Sequence, residues 1–377
     1  MFALIRGVGL VALALALPAG TARAEEEVRI AIASSRSRIT IEGDRLAVFD
    51  GERGERIAFS DGRTKLMARA DRGGVRIDGI PGRAAGRAAR SVLVEADSGV
   101  RVDGRLYLGR VAIDLESGKR TLIAINRLPI ETYLLGIVGS EMSPAWPIEA
   151  LKAQAVAART YALQRRMMMR AANRAYDLEA TVLSQVYQGA ERIRPSVVEA
   201  VSATRGEVLA FHHRLAETLF HSTCGGTTVS AREAFGSAVP YLVPRRCGDC
   251  KSSNNYRWKL KLSLDKLEQK LRTSKLSPGK IARVERKAAR GAVDLTSGKK
   301  LTKISAKALR AAIGYTVILS ERFTAETQGG DVIFAGVGFG HGVGMCQWGA
   351  RGQADRGLDY QEILRHYYSG ADVKRIY

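Results

Sequence analysis

A single carboxylate, Glu141, precedes a proline-flanked tryptophan turn in "GSEMSPAWPIEALKAQAVAARTYAL" (139–163), which runs into an alanine-rich segment with hardly a weak helix former in it. A carboxyl group is a side-chain type that can give and take a proton, and this one is fixed between two rigid elements. To be protonated near neutral pH it needs a pKa well above the reference of about 4.3, which burial against apolar groups provides. Met142, Pro144 and Trp146 are suitable walls. Glu131 and Glu149 are rival carboxylates, but each is expected in the first turn of its helix, where an acidic side chain complements the macrodipole.

A second group of residues has the spacing of a metal site. His221, Cys224, Cys247 and Cys250 form H-x2-C-x22-C-x2-C, two short pairs joined by a loop, which is how a tetrahedral zinc site is usually assembled. A disulfide from Cys224 to Cys247 or Cys250 competes with zinc if the chain is exported. Cys346 stands apart in sequence, and either it or His341 could replace His221 as the fourth ligand. No βαβ context supports a redox reading of "CGDC".

The third group is "GFGHGVGMCQWGA" (338–350). Its glycines permit backbone conformations closed to other residues and leave His341, Gln347 and Trp348 to present to a ligand. No Lys-Ser/Thr follows, so it is not a P-loop. A surface for a bulky polar ligand fits it, with Trp348 as a stacking face; a structural turn with a packed histidine is the alternative.

These groups need a frame. From Val28 to Ile125 short alternating segments such as "VRIAIAS" and "RVDGRLYLGRVAIDL" are broken by Gly and Asp turns, as in antiparallel strands. "PGRAAGRAARS" (81–91) reads as a surface loop. From Pro129 the period becomes helical: one helix over 129–141 and a second over 147–176, each opened by a proline. On the second, Lys152, Arg159, Arg166, Arg170 and Arg174 make a basic stripe, either solvated or an anion track, with Lys152 and Arg159 as candidate substrate contacts. Met167, Met168 and Met169 read as core filler. A third helix is expected over 195–204, strands around 207–211 and 217–221, and a charged insertion over about 260–330. The fold class is α+β, with a β-rich N-terminal part, a helical catalytic segment and a mixed C-terminal part.

Residues 1–24 have Arg6, an apolar run from Val8 to Leu17 and a small-residue site at Ala22–Ala24, the layout of a cleaved secretory signal. The run is too short for a stable span, so an exported chain of the periplasm or cell envelope is expected, with no lasting membrane insertion. The formal charge is +21, and loss of that segment's two arginines leaves +19. Such an excess favours polyanions. An exported protein rarely meets nucleic acid, so anionic envelope polymers are the expected partners.

"RLPIETYLLGIVGSEMSPAWPIEALKAQAVAARTYAL", "SQVYQG", "FHSTCGGTT", "PYL", "GVGFGHGVGMCQWGARGQA" and "ILRHYYSGADV" resemble, in order and spacing, the SpoIID/LytB family named for stage II sporulation protein D. The resemblance covers roughly Val100 to Ile376, implying a catalytic domain over 100–377 behind a β-rich region over 25–99. It implies action on peptidoglycan glycan strands, with lytic transglycosylases as the best-understood members and an amidase as partner in the LytB branch. The catalytic glutamate of the E-M-x-P motif falls on Glu141, with Trp146, Lys152, Arg159, His341, Gln347 and Trp348 as candidate substrate residues. His221 and Cys224 fall in the region of the zinc site. Two departures matter: the family often has serine at the position of Cys346, and C-x2-C is not found in every member.

The single carboxylate suits that chemistry. A glycosidase that uses water needs a second carboxylate, whereas closing a 1,6-anhydro ring lets one group act as acid and then base. Two other classes compete: a peptidoglycan-binding amidase modifier that does not depend on Glu141, and a zinc hydrolase. Three thiolates indicate a closed structural zinc, and the H-x-E pattern of deaminases is absent, which ranks the hydrolase last.

Overall fold

The computed structural model describes residues 26–71, 73–79, 89–180, 185–289 and 291–377. The expected signal segment and most of the 81–91 loop lie outside the described residues. The chain is α+β, as expected, with helices α1 (Ile130–Glu141), α2 (Ile148–Ala171), α3 (Pro195–Ala203), α4 (Ala231–Phe235), α5 (Leu264–Thr273), α6 (Ala306–Ile313), α7 (Gln347–Asp355) and α8 (Tyr360–Tyr367).

Alternating apolar residues build the N-terminal layers. A seven-stranded sheet has Glu27–Arg36 beside Leu122–Pro129, and a five-stranded sheet has Arg38–Asp44 beside Val100–Val102. Strands before and after residue 99 therefore share both sheets. Ile30, Val92 and Ile113 of the first sheet and Ile39, Ile41 and Leu66 of the second are buried in one core. Period-two alternation requires this, since each strand can offer only one face to it.

Helices α1, α2, α3, α7 and α8 pack against the same core. Pro129 and Pro147 are the N-cap residues of α1 and α2, where a missing N–H costs nothing. Along α2, Ala150, Ala153, Ala155, Ala157, Ala158 and Ala162 are fully buried. Their small side chains let α1, α3, α7 and α8 all come against one helix. The helix stops at Ala171, short of the expected 176, so Arg174 is not on it. Its last turns run past the core edge, which leaves Met167 and Met168 61% and 51% exposed instead of filling the core.

The expected stripe does not present one free basic face. Arg159 is fully buried and forms a two-pronged bond to Glu131, at 2.8 and 2.7 Å. Arg166 pairs with Glu26, and Arg166 and Arg170 donate to the Glu27 carbonyl at 2.9 and 2.8 Å. A sequence stripe could not reveal this, because the partners come from the first strand and from the far end of α1.

Residues 257–337 contain a second, separate core. Six antiparallel strands, from Arg257–Ser263 at one edge to Lys300–Ile304 at the other, form a sheet whose core includes Leu267 and Leu271 of α5, Leu309 and Ile313 of α6, and Phe323 and Phe334. The charged stretch that interrupts the motifs is thus a folded unit with its own apolar interior.

Candidate functional site

Glu141 is the last residue of α1. The next residue, Met142, is extended and buried, and a turn closed by Trp146 N–H to the Ser143 carbonyl (3.0 Å) leads into α2. The carboxyl group is thus carried by a helix end fixed on one side by the sheet core and on the other by Pro147.

The half-buried carboxylate has two neutral donors. Val186 N–H reaches Oε1 at 2.7 Å, and the Gln347 side-chain amide reaches Oε2 at 3.3 Å while also donating to Gln154 Oε1 at 3.3 Å. Burial raises the Glu141 pKa above the ordinary carboxylate value, and these two bonds only partly oppose it. Its place at the negative end of the α1 dipole works in the same direction as burial.

The approach of Val186 depends on glycine. A Cβ on Gly136 would lie 2.6 Å from the Gly189 carbonyl oxygen, and one on Gly139 would collide with the Arg192 carbonyl oxygen. Two bare positions on α1 therefore allow the 185–192 segment to lie against the helix and aim its N–H at Glu141. The sequence motif "SQVYQG" carried this residue, but its contribution is a backbone group, which residue type does not reveal.

The rival carboxylates are occupied. For Glu131 burial acts to raise the pKa, but the Arg159 bonds and charge, with Tyr377 Oη (2.5 Å) and Gly206 N–H (3.3 Å), outweigh it and hold the group below its usual range. Glu149 takes Lys152 Nζ at 2.7 Å and the Tyr360 N–H at 2.9 Å, tying α2 to the start of α8. Two buried or half-buried glutamates with opposite shifts mark different roles. Glu131 is a fixed anion, and Glu141 is the one inclined to carry a proton.

Trp146 and Trp348 are half-buried and meet edge to face, with ring centroids 5.1 Å apart. The Arg351 guanidinium lies over both, at 5.4 and 5.0 Å. Gln347 and Trp348 open α7, so the end of the glycine-rich loop is a helix start and not more loop. Arg351 and Gln154 were missed in sequence; helical spacing from Trp348 to Arg351 is the signal that would have found the first.

His341 belongs elsewhere. Its Nδ1 accepts Val343 N–H at 3.1 Å and its Nε2 donates to the Phe220 carbonyl at 2.9 Å, while burial lowers its pKa to about 4 and keeps it neutral. It lines a cleft of about 410 Å³ with Arg286, Lys307, Glu321 and Arg322, a cleft that Glu141, Gln347 and Trp348 do not line. Lys152 is bound to Glu149 and lies 5.9 Å from the Tyr360 ring, between α2 and α8.

The cysteines converge. The Sγ atoms of Cys224, Cys247, Cys250 and Cys346 all lie within 4.8 Å of one another, and all four residues are buried and free of disulfides. Phe220–His221 pairs in parallel with Met345–Cys346, which brings the distant Cys346 to Cys224. His221, expected as the fourth member, is not in the group. Its Nδ1 donates to the Val343 carbonyl at 3.0 Å, its Nε2 has no hydrogen-bond partner, and its ring packs 5.5 Å from that of His341.

A family model described as stage II sporulation protein matches residues 118–211, the stretch that contains Glu141 and Val186. The chain is 36% identical over 289 residues to an uncharacterised protein of Brachyspira hyodysenteriae, covering 75% of this chain and 76% of the relative. It is 30% identical over 266 residues to stage II sporulation protein D of Bacillus amyloliquefaciens, 66% of this chain and 75% of that one. It is 29% identical over 327 residues to an amidase enhancer of Bacillus subtilis, 73% of this chain and 45% of that protein.

Proposed function

This chain belongs to the stage II sporulation protein D family, and from that premise we propose that it is a peptidoglycan lytic transglycosylase of the cell envelope, with Glu141 as its one acid-base group. The observation that carries the reading is the environment of Glu141: a carboxyl group raised in pKa, held by neutral donors, while Glu131 and Glu149 are bound to cations.

In this mechanism Glu141 starts protonated and gives its proton to the glycosidic oxygen between MurNAc and GlcNAc as the bond from C1 to that oxygen breaks. The carboxylate so formed is stabilised by Val186 N–H and the Gln347 amide. It then takes the proton of the muramyl C6 hydroxyl as O6 bonds to C1, closing the 1,6-anhydro ring and restoring the acid. No water enters the balance, so no second carboxylate is needed. Trp146 and Trp348 offer apolar ring surface for a sugar face, and Arg351 holds the pair. Export fits this substrate, and no helix among the described residues is long and apolar enough to cross a membrane.

The amidase-enhancer relative supports a second reading, a glycan-binding protein that modifies an amidase without cutting. Analysis of the muropeptides released from intact and peptide-stripped glycan separates the two. New 1,6-anhydromuramyl ends support the transglycosylase; release of nothing from either substrate leaves the binding protein.

A further inference from the structure

We propose that Cys224, Cys247, Cys250 and Cys346 together hold one zinc-type cation, and that this site locks the start of α7 and thereby the position of Gln347 against Glu141. The four sulfurs come from three stretches far apart in sequence: the turn after Phe220–His221, the 247–250 turn and the residue that opens α7. Chain proximity does not bring them together; the fold does.

The geometry fits the cation. Zinc binds thiolates at about 2.3 Å in a tetrahedron, which places the sulfurs about 3.8 Å apart. The four Sγ atoms lie within 4.8 Å of one another, and the Cys224 and Cys250 sulfurs are 3.5 Å apart. A disulfide needs about 2.05 Å and would use only two of the four, leaving two buried thiols beside it. Four thiolates around a divalent cation leave two negative charges, and donors are present to meet them. Cys224 N–H and Gly349 N–H reach Cys346 Sγ at 3.2 and 3.4 Å, and Tyr367 Oη lies 3.3 Å from Cys247 Sγ. Such outer bonds commonly orient and tune metal ligands.

The fold also makes room for the site. A Cβ on Gly349 would lie 2.5 Å from Cys247 Sγ, so α7 can rest on the 247–250 turn only because that position is bare. Cys346 is at once a member of the cluster and the N-cap of α7, accepting from Gly349 N–H. The next residue is Gln347, whose amide reaches Glu141, and the one after it is Trp348. Fixing the Cys346 sulfur fixes the first turn of α7, and with it one of the two donors on Glu141. That consequence for catalysis rests on the reading of Glu141 given above; the metal site does not.

Elemental analysis of the full chain after dialysis against zinc-free buffer tests the site. The wild type and Glu141→Gln should each retain one zinc per chain, and so should His221→Gln. Cys346→Ser should bind zinc at least tenfold more weakly. No zinc in the wild type, with a Cys224–Cys250 disulfide found by mass spectrometry, would overturn the site; so would retention by Cys346→Ser together with loss by His221→Gln. Because Cys346→Ser could unfold, the wild type loaded with cobalt(II) gives an independent reading: a tetrahedral four-thiolate spectrum supports the site, and fewer thiolates oppose it. For the coupling, a Trp258→Phe chain reports only Trp146 and Trp348. Stripping zinc with a chelator should shift their emission and restoring zinc should reverse it, whereas unchanged emission would refute the link to α7. All these readouts are independent of glycan cleavage.

Discussion

Gln347 donates to Glu141 across 206 residues of sequence, at 3.3 Å, from the first residue of one helix to the last residue of another. The bond joins two of the six sequence motifs that carry the family resemblance into one site. It also sets the balance at Glu141, because it favours the carboxylate while burial favours the acid.

Glu141→Gln keeps the size of the side chain but cannot transfer a proton. The variant should keep its circular dichroism and its binding to isolated sacculi, while release of anhydromuropeptides falls by about 10² to 10⁴ or more, the range for a positioned acid-base group. Cutting at a rate comparable to the wild type would remove Glu141 from the mechanism.

The pH profile follows from the direction of the Glu141 shift. In the proposed mechanism the acid form begins the reaction, so activity should be present below the raised pKa and decline as pH rises through it. Gln347→Leu removes a bond that lowers that pKa, so the declining limb should move to higher pH even as the rate falls. The same shift bears on stability. A carboxyl whose folded pKa is raised contributes stability that is full below its unfolded value of about 4.3 and is lost as pH rises through the folded value. Glu141→Gln should therefore flatten this part of the stability curve, measured by urea unfolding across pH. A limb that does not move in Gln347→Leu would show that another group controls it.

Arg159 should matter for folding and not for substrate. Arg159→Met leaves Glu131 buried without its cation, which costs about 3–5 kcal/mol in such pairs. For Glu131 the sign is opposite to that of Glu141: its lowered pKa gives stability above the unfolded value that is lost as pH falls through the folded one. Denaturant unfolding should show the loss in the variant, while the folded fraction should bind sacculi as the wild type does. A selective loss of binding at unchanged stability would contradict this assignment.

Gly139→Ala should disturb the site from behind. The added Cβ meets the Arg192 carbonyl oxygen and must push the 185–192 segment off α1, drawing Val186 N–H from Glu141. Overpacking of this kind costs about 1–3 kcal/mol, and activity should fall by more than the loss of folded protein explains. Activity that simply tracks the folded fraction would mean that the Val186 contact is dispensable.

Binding to sacculi should weaken between low and moderate salt, since exposed charges are screened over about 10 Å at 0.1 M. The charge of +19 left once residues 1–24 are removed is the basis of this expectation. Salt-insensitive binding, followed by co-sedimentation, would instead point to the Trp146–Trp348 surface.

What the sequence determined by itself was local. Strand alternation, the two helix-opening prolines, the α+β class and Glu141 at a helix end all follow from periodicity and from residues whose backbone preferences act within a few positions. The spacing of Cys224, Cys247 and Cys250 was equally legible. What only the tertiary structure decided was partnership at long range. Cys346 joins those three cysteines through a parallel strand pair, and His221 is drawn to the Val343 carbonyl instead. Arg159 turns inward to Glu131, and Arg166 and Arg170 tie down the first strand, although all three sit on what reads as one basic face. The physical reason is common to these cases: a side chain's charge or ligand chemistry is written in its type, but its partner is chosen by which distant backbone the packing brings within about 3 Å.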